Sequence, residues 1–204
     1  MFKKLAADAL GLSDIGKVIE RKDFDKVDAD DYVMHEDGEK IYFIIKSKKD
    51  EYCFTNLAFI HLDGESAISS KRILKRYSYS SHEISKVYLE TAGTVDLDVE
   101  IKFHIGDVSF SIDVNKRQIE QIKDLYKALI KISEIVATND RLYEYAIESV
   151  QIAKESIGRT SAQGASAAEQ FNAINEAAYN WMKAKHAEHK IKDFGFVFDK
   201  YINL

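Results

Sequence analysis

Val95-Asp-Leu-Asp-Val-Glu-Ile-Lys-Phe-His-Ile-Gly-Asp-Val-Ser-Phe-Ser-Ile-Asp-Val114 is the stretch that decides the fold class. Val95, Leu97, Val99, Ile101, Phe103 and Ile105 alternate with Asp96, Asp98, Glu100, Lys102 and His104. After Gly106-Asp107 the alternation resumes at Val108, Phe110, Ile112 and Val114. Strand side chains point alternately to opposite faces, so the pattern predicts two antiparallel strands with one apolar and one wetted face. Beyond Asn115 the apolar period becomes helical and stays so to about residue 190. The chain therefore divides into a β module and a helical extension.

Upstream, Ile41, Phe43 and Ile45 share one face of a first strand, Tyr52 and Phe54 of a second, and Ala58, Ile60 and Leu62 of a third. Short polar links at Ser47–Asp50, Asn56 and Asp63–Ser66 suit hairpin connections. Residues 71–79 and 84–91 supply a fourth and fifth strand, and Ala92-Gly93 turns the chain into the opening pair. Seven short antiparallel strands close in sequence predict a barrel or sandwich, hence an α+β chain. Residues 20–39 are acidic. Counted from Asp23, a calcium loop needs an oxygen ligand at its fifth place and glycine at its sixth, and these hold Val27 and Asp28. A solvated linker is expected there. Phe2, Leu5, Ala6, Ala9 and Leu10, stopped by Gly11, predict a short N-terminal helix.

Downstream, Asn115 with Gln118 reads as a variant capping box, and Ile119, Ile122, Tyr126, Leu129 and Ile132 or Ser133 form the stripe of a helix covering the open end of the sheet. Thr138-Asn139-Asp140 offers a second start, with Tyr143, Ala146, Ile147, Val150, Ala153 and Ile157 on one face and Gly158 as the stop. Ser166 and Glu169 form a capping box for a third helix, which places Phe171, Ile174, Ala178, Trp181 and Lys185 together. His186 and His189 share a side of that helix near its carboxyl end, where positive charge complements the helix dipole. Phe194, Phe196 and Phe198 then read as an extended aromatic tail. A hairpin with one apolar seam per helix cannot also bury these aromatics, and apolar surface of that extent marks an interface.

The 204 residues, 46% hydrophobic and 31% charged, are those of a folded domain rather than a disordered chain. A net charge of −5 argues against nucleic-acid binding, which needs clustered Lys and Arg. The single cysteine, Cys53, excludes an intramolecular disulfide and a multi-cysteine zinc site. No stretch approaches the roughly 20 apolar residues of a membrane span, and Asp8 interrupts any secretory core, so the expected location is cytoplasmic. The glycines stand singly at turns, without a phosphate loop or nucleophile elbow. No enzyme is expected, and no catalytic, cofactor-binding or metal-binding residue is nominated.

Asp37-Gly-Glu-Lys-Ile-Tyr-Phe43, Tyr52-Cys-Phe-Thr-Asn-Leu-Ala-Phe-Ile-His-Leu-Asp-Gly64 and Tyr77-Ser-Tyr-Ser-Ser-His-Glu-Ile84 resemble segments of the bacterial pleckstrin-homology-like domains. The chain as a whole is similar to the YvbH-like family, in which such a domain precedes a helical region regarded as an oligomerisation element. The resemblance implies a seven-stranded pleckstrin-homology-like barrel capped by one helix, followed by a C-terminal helical hairpin. It divides the chain into an N-terminal helix and acidic linker (1–36), the domain (37–136), the hairpin (137–190) and the aromatic tail (191–204). It implies no catalytic activity. Some eukaryotic relatives bind phosphoinositides through a basic first hairpin. Here Lys46, Lys48 and Lys49 occupy that hairpin, but the loop is short and lacks the spaced Lys and Arg-x-Arg pattern.

A second basic run, Lys71-Arg72-Ile-Leu-Lys75-Arg76, splits on a strand into two pairs on opposite faces, which suits solvated or edge-protecting side chains. The expectation is a non-catalytic scaffold or protein-binding module that forms homo-oligomers through Ile147, Val150, Phe171, Ile174, Trp181, Phe194, Phe196 and Phe198. The alternative is a peripheral membrane module that meets anionic surfaces through the N-terminal helix and Lys46, Lys48, Lys49, Lys71, Arg72, Lys75 and Arg76.

Overall fold

The computed structural model describes residues 14–64, 72–91, 98–157 and 166–202. The expected helix over residues 2–10, the turn at Ala92-Gly93, the positions of Lys71, Val95 and Leu97, and the Gly158 stop lie outside them. Contacts divide the chain into one unit of Met1–Ser133 with Lys192–Leu204, and a second of Glu134–Ile191.

Among the described residues, the first unit holds eight strands in two antiparallel sheets. β1 (Lys17–Val18), β2 (Ile41–Lys46), β3 (Glu51–Thr55), β4 (Ala58–Asp63) and β5 (Ile73–Ser78) pair in that order. β6 (Ile84–Glu90), β7 (Asp98–Ile105) and β8 (Val108–Asn115) form the other sheet. The β7–β8 register sets Val99 beside Val114, Ile101 beside Ile112 and Phe103 beside Phe110, and all six are buried, as the alternation predicts. Val108 is exposed instead.

The closed seven-stranded barrel is corrected to two sheets. Alternation reports that a strand has a covered face and is silent on whether hydrogen bonding continues from one sheet to the next. The seam is an isolated bridge between Gly16 and Val114, with Gly16 N donating to Asp113 O at 2.7 Å. A Cβ on Gly16 would lie 2.6 Å from Ile45 Cγ2, so only glycine allows this approach.

The larger sheet is covered on both faces. On one, Phe54 and Phe59 meet Phe103 and Phe110 of the smaller sheet, with ring centroids 4.8 Å apart for Phe59 and Phe110. On the other, Ile44, Cys53, Ile60 and Leu62 pack under Val27, Ala29 and Val33. The acidic segment is therefore not a solvated linker. It folds as three 3-10 turns, Arg21–Lys26, Asp28–Tyr32 and His35–Asp37. Three small apolar residues scattered through aspartates set up no period that would reveal this.

Asn115 caps a 3-10 turn, Lys116–Gln118, by accepting from Arg117 N. Gln118 does not close a capping box: its amide accepts from Val18 N at 2.8 Å and donates to Val18 O at 3.0 Å, pinning β1. α1 (Ile119–Ile157) follows, and Ile122, Leu125, Ala128, Leu129 and Ile132 are fully buried in the first unit. Thr138-Asn139-Asp140 does not start a new helix; α1 runs through it. Each of those residues costs under about 0.7 kcal/mol relative to alanine in a helix interior, and no glycine or proline is present to stop the helix. α2 (Ala167–His189) opens on the expected capping box of Ser166 and Glu169.

The aromatic tail is not extended. Residues Gly195–Tyr201 form a short helix, α3, which belongs to the first unit. Phe194, Val197, Phe198 and Ile202 are buried there at 3% exposure or less, and Phe196 is exposed.

Candidate interaction surfaces

Most of the basic residues nominated for an anionic surface face carboxylates. Lys46 pairs with Glu51, Arg72 with Asp28, and Lys75 with Asp63 at 3.4 Å. Lys48 and Lys49 are exposed at the β2–β3 turn. Arg76 is the clearest departure from a solvated or edge-protecting role. It points inward and holds the buried Glu39 carboxylate at 2.9 and 3.0 Å. The charged end of an inward-facing side chain needs a partner that no periodicity names.

Glu39 also accepts from Met34 N at 2.8 Å and from the Thr55 hydroxyl. The buried Glu51 likewise accepts from Ala29 N at 2.8 Å. Two buried carboxylates thus tie the 3-10 turns to the sheet. Burial pushes the Glu39 carboxyl up, but the hydrogen bonds from Arg76, Thr55 and Met34 outweigh it and hold the group below its usual range. A group held low stabilises the fold above its unfolded value, near 4.3, and that contribution is lost as pH falls through the folded value. Glu39→Gln is expected to cost about 1–3 kcal/mol at neutral pH, because the buried side chain loses its charge-assisted hydrogen bonds and the half-buried Arg76 loses its anion. Urea unfolding curves of that variant should also lose part of the parent's decline below about pH 4.

Cys53 and His61 do not form a thiol–imidazole pair. Cys53 lies opposite Ile60 and His61 opposite Tyr52, so the two residues face opposite sides of the sheet. Burial drives the Cys53 thiol well above its ordinary range, which suits a buried hydrophobe rather than a nucleophile.

The Thr55-Asn56 corner between β3 and β4 forms the most developed polar site. Thr55 Oγ1 accepts from Leu57 N at 3.1 Å and Ala58 N at 2.9 Å, turning the chain. Asn56 Oδ1 accepts from Lys40 N at 2.8 Å, and its Nδ2 donates to Asp193 Oδ2 at 2.8 Å. Phe194 N donates to Asn56 O at 2.8 Å. The Tyr42 ring stacks on Phe198 at 5.2 Å, and its hydroxyl donates to Asp199 at 3.3 Å. Tyr79 meets Phe194 edge-on at 5.8 Å. Tyr42, Asn56 and Tyr79 were not singled out as contact residues from the sequence. The tail that they hold lies far along the chain, and only the tertiary structure places the two together.

The second unit is a hairpin of α1 beyond Ser133 with α2. At its base the Tyr143 ring meets His186 edge-on at 5.8 Å, and Lys190 pairs with Asp140. His186 and His189 have no metal-ligand company: among the described residues no group of three His, Cys, Asp or Glu is placed to hold an ion. Ile147, Val150, Ile174 and Trp181 are half-buried, whereas Phe171 is exposed. Leu142, Tyr145, Ile152 and Tyr179 are exposed as well. At about 100° per residue, Leu142, Tyr145 and Ile152 fall within about 80° of arc, away from the face of Tyr143, Ala146 and Val150. This second stripe is present in the sequence beside the first. Among the described residues of Glu134–Ile191, Ala146 alone is buried.

Two sheets closed by a helix, with a helical hairpin appended, define a pleckstrin-homology-like module with an extension. A bacterial PH domain model matches residues 9–133, and a YvbH-like oligomerisation region model matches residues 144–203. The chain belongs to the bacterial PH domain family, with a YvbH-like oligomerisation region. It is 59% identical over 203 residues, 100% of both chains, to the uncharacterized protein YvbH of Bacillus subtilis (strain 168). The uncharacterized protein YjqA of the same organism is 30% identical over 97 residues, covering 47% of this chain and 76% of that one. The crystal structure of a PH domain-containing bacterial protein from Exiguobacterium sibiricum 255-15 is similar over 93% of this chain and 100% of its own, at 50% identity and a TM-score of 0.85. No helix among the described residues is long and apolar enough to cross a membrane.

Proposed function

We propose that the chain is a non-catalytic scaffold that self-associates through its helical hairpin and presents the β module to a protein partner. One observation carries this reading. The 58 residues of Glu134–Ile191 have, among those described, one buried residue, Ala146, while large apolar side chains on both helices face solvent. Two helices that bury so little against each other lack a core of their own, and burial against another copy supplies it. Arg72, Lys75 and Arg76 of the basic run already face carboxylates, which leaves them little for an anionic membrane surface.

The expected result is a mass above that of a monomer in light scattering for the intact chain. Tyr145→Glu with Ile152→Glu should shift the mass to a monomer without moving the unfolding transition of the β module. An unchanged mass for that double variant would remove this face of the hairpin from the assembly.

A further inference from the structure

The site at the Thr55-Asn56 corner is more specific than a simple packing contact. Seven residues, Asp193–Asp199, make the contacts described. Two donors, Asn56 Nδ2 and Tyr42 Oη, meet two carboxylates six residues apart, Asp193 and Asp199. A backbone acceptor, Asn56 O, meets Phe194 N, and aromatic rings flank Phe194 and Phe198. Between them Gly195 is buried, and a Cβ on it would lie 2.8 Å from Tyr42 Oη and 3.0 Å from Asp193 Oδ1. The corner therefore selects a segment of the form Asp-Phe-Gly-x-x-Phe-Asp.

We propose that this corner is a docking site for the Asp193–Asp199 segment of a second copy, so that assembled chains exchange tails. The inference rests on the self-association reading above. Within a docked segment the same hydrogen bonds and ring contacts form whichever copy supplies it, and exchange of an identical element between protomers costs little. α2 ends at His189 and the first anchor is Asp193, so non-helical Lys190–Lys192 serves as the hinge. Association through the hairpin holds neighbouring tails at high effective concentration.

The test uses the intact chain. A Cβ at position 195 lies 3.5 Å from Asn56 Cβ, at the short end of the disulfide range of about 3.5–4.5 Å. Asn56→Cys with Gly195→Cys, in a Tyr42→Phe background that removes the crowding hydroxyl, should crosslink whenever a tail is docked. Cys53 is fully buried and does not compete. After mild oxidation, non-reducing electrophoresis should show covalent species of two or more chains, from a sample whose light-scattering mass exceeds a monomer. Single-chain crosslinks alone in such a sample would overturn tail exchange and leave self-association standing. Single-chain crosslinks in a sample of monomer mass would sink both.

A complementation experiment covers a cysteine variant that does not fold or crosslink. Phe198→Ala chains, with an intact corner, are mixed with Asn56→Ala chains, which have an intact tail. Each alone should unfold at a lower temperature than the parent, and the mixture should gain a fraction that unfolds at the parent's temperature, from intact corners that hold intact tails. Absence of that parent-like fraction in mixed assemblies would overturn the proposal.

Discussion

Phe103→Asp is expected to abolish the cooperative unfolding transition of the β module and its near-ultraviolet circular dichroism. Phe103 is 1% exposed and lies between the sheets, with its centroid 5.3 Å from Phe59 and 5.4 Å from Phe110. Removing the ring costs about 3–5 kcal/mol, and an unpaired buried carboxylate adds several kcal/mol more. Together these rival the roughly 5–15 kcal/mol that keeps an ordinary domain folded. Ser109→Asp places the same charge one residue from Phe110, on the wetted face of β8, where Ser109 is exposed. That variant should melt like the parent. A normal melting curve for Phe103→Asp would contradict the strand facing on which the two-sheet arrangement depends.

Phe198→Ala is the second large effect. Phe198 is fully buried between Tyr42 and Tyr79, and truncating a phenylalanine in such a place costs about 3–5 kcal/mol. For a unit of this size the unfolding temperature should fall on the order of 10 °C. The loss has a ceiling, because the tail can lift away before the sheets separate. Local opening then shows as faster tryptic cleavage at Lys190 and Lys192, ahead of any loss of sheet structure. Phe196→Ala, at an exposed ring in the same helix, should do neither. Equal cleavage rates for Phe198→Ala and the parent would mean that the ring does not hold the tail.

Seven of the eight strands were legible because they alternate or run apolar at a spacing set by backbone geometry; Lys17–Val18 is too short to show a period. The capping box at Ser166 was legible for the same reason: both partners lie within one turn. The Thr55-Asn56 corner was visible as a pattern, but its job was not. Asn56 bonds Lys40 on one side and Asp193 on the other. The second partner is 137 residues away. The inward role of Arg76 is hidden from local sequence for a related reason. Its carboxylate, Glu39, lies in a segment that seemed wholly solvated, and a basic residue on an edge strand has an ordinary explanation without it. The helix break at Thr138-Asn139-Asp140 failed differently. Capping residues are permissive signals, and a helix without proline or glycine absorbs them at small local cost.

Local chemistry in the chain determined most of the strands, where α2 begins, and that both helices of the hairpin carry large apolar side chains. Those properties follow from backbone period and side-chain size within a few residues. Tertiary structure decided that the sheets stay two rather than one closed barrel, that aspartate-rich turns roof the larger sheet, and that the C-terminal aromatics return to the Asn56 corner. Each of those outcomes rests on groups tens to more than a hundred residues apart satisfying one another's buried hydrogen bonds and apolar faces, and no local period encodes a partner at that distance.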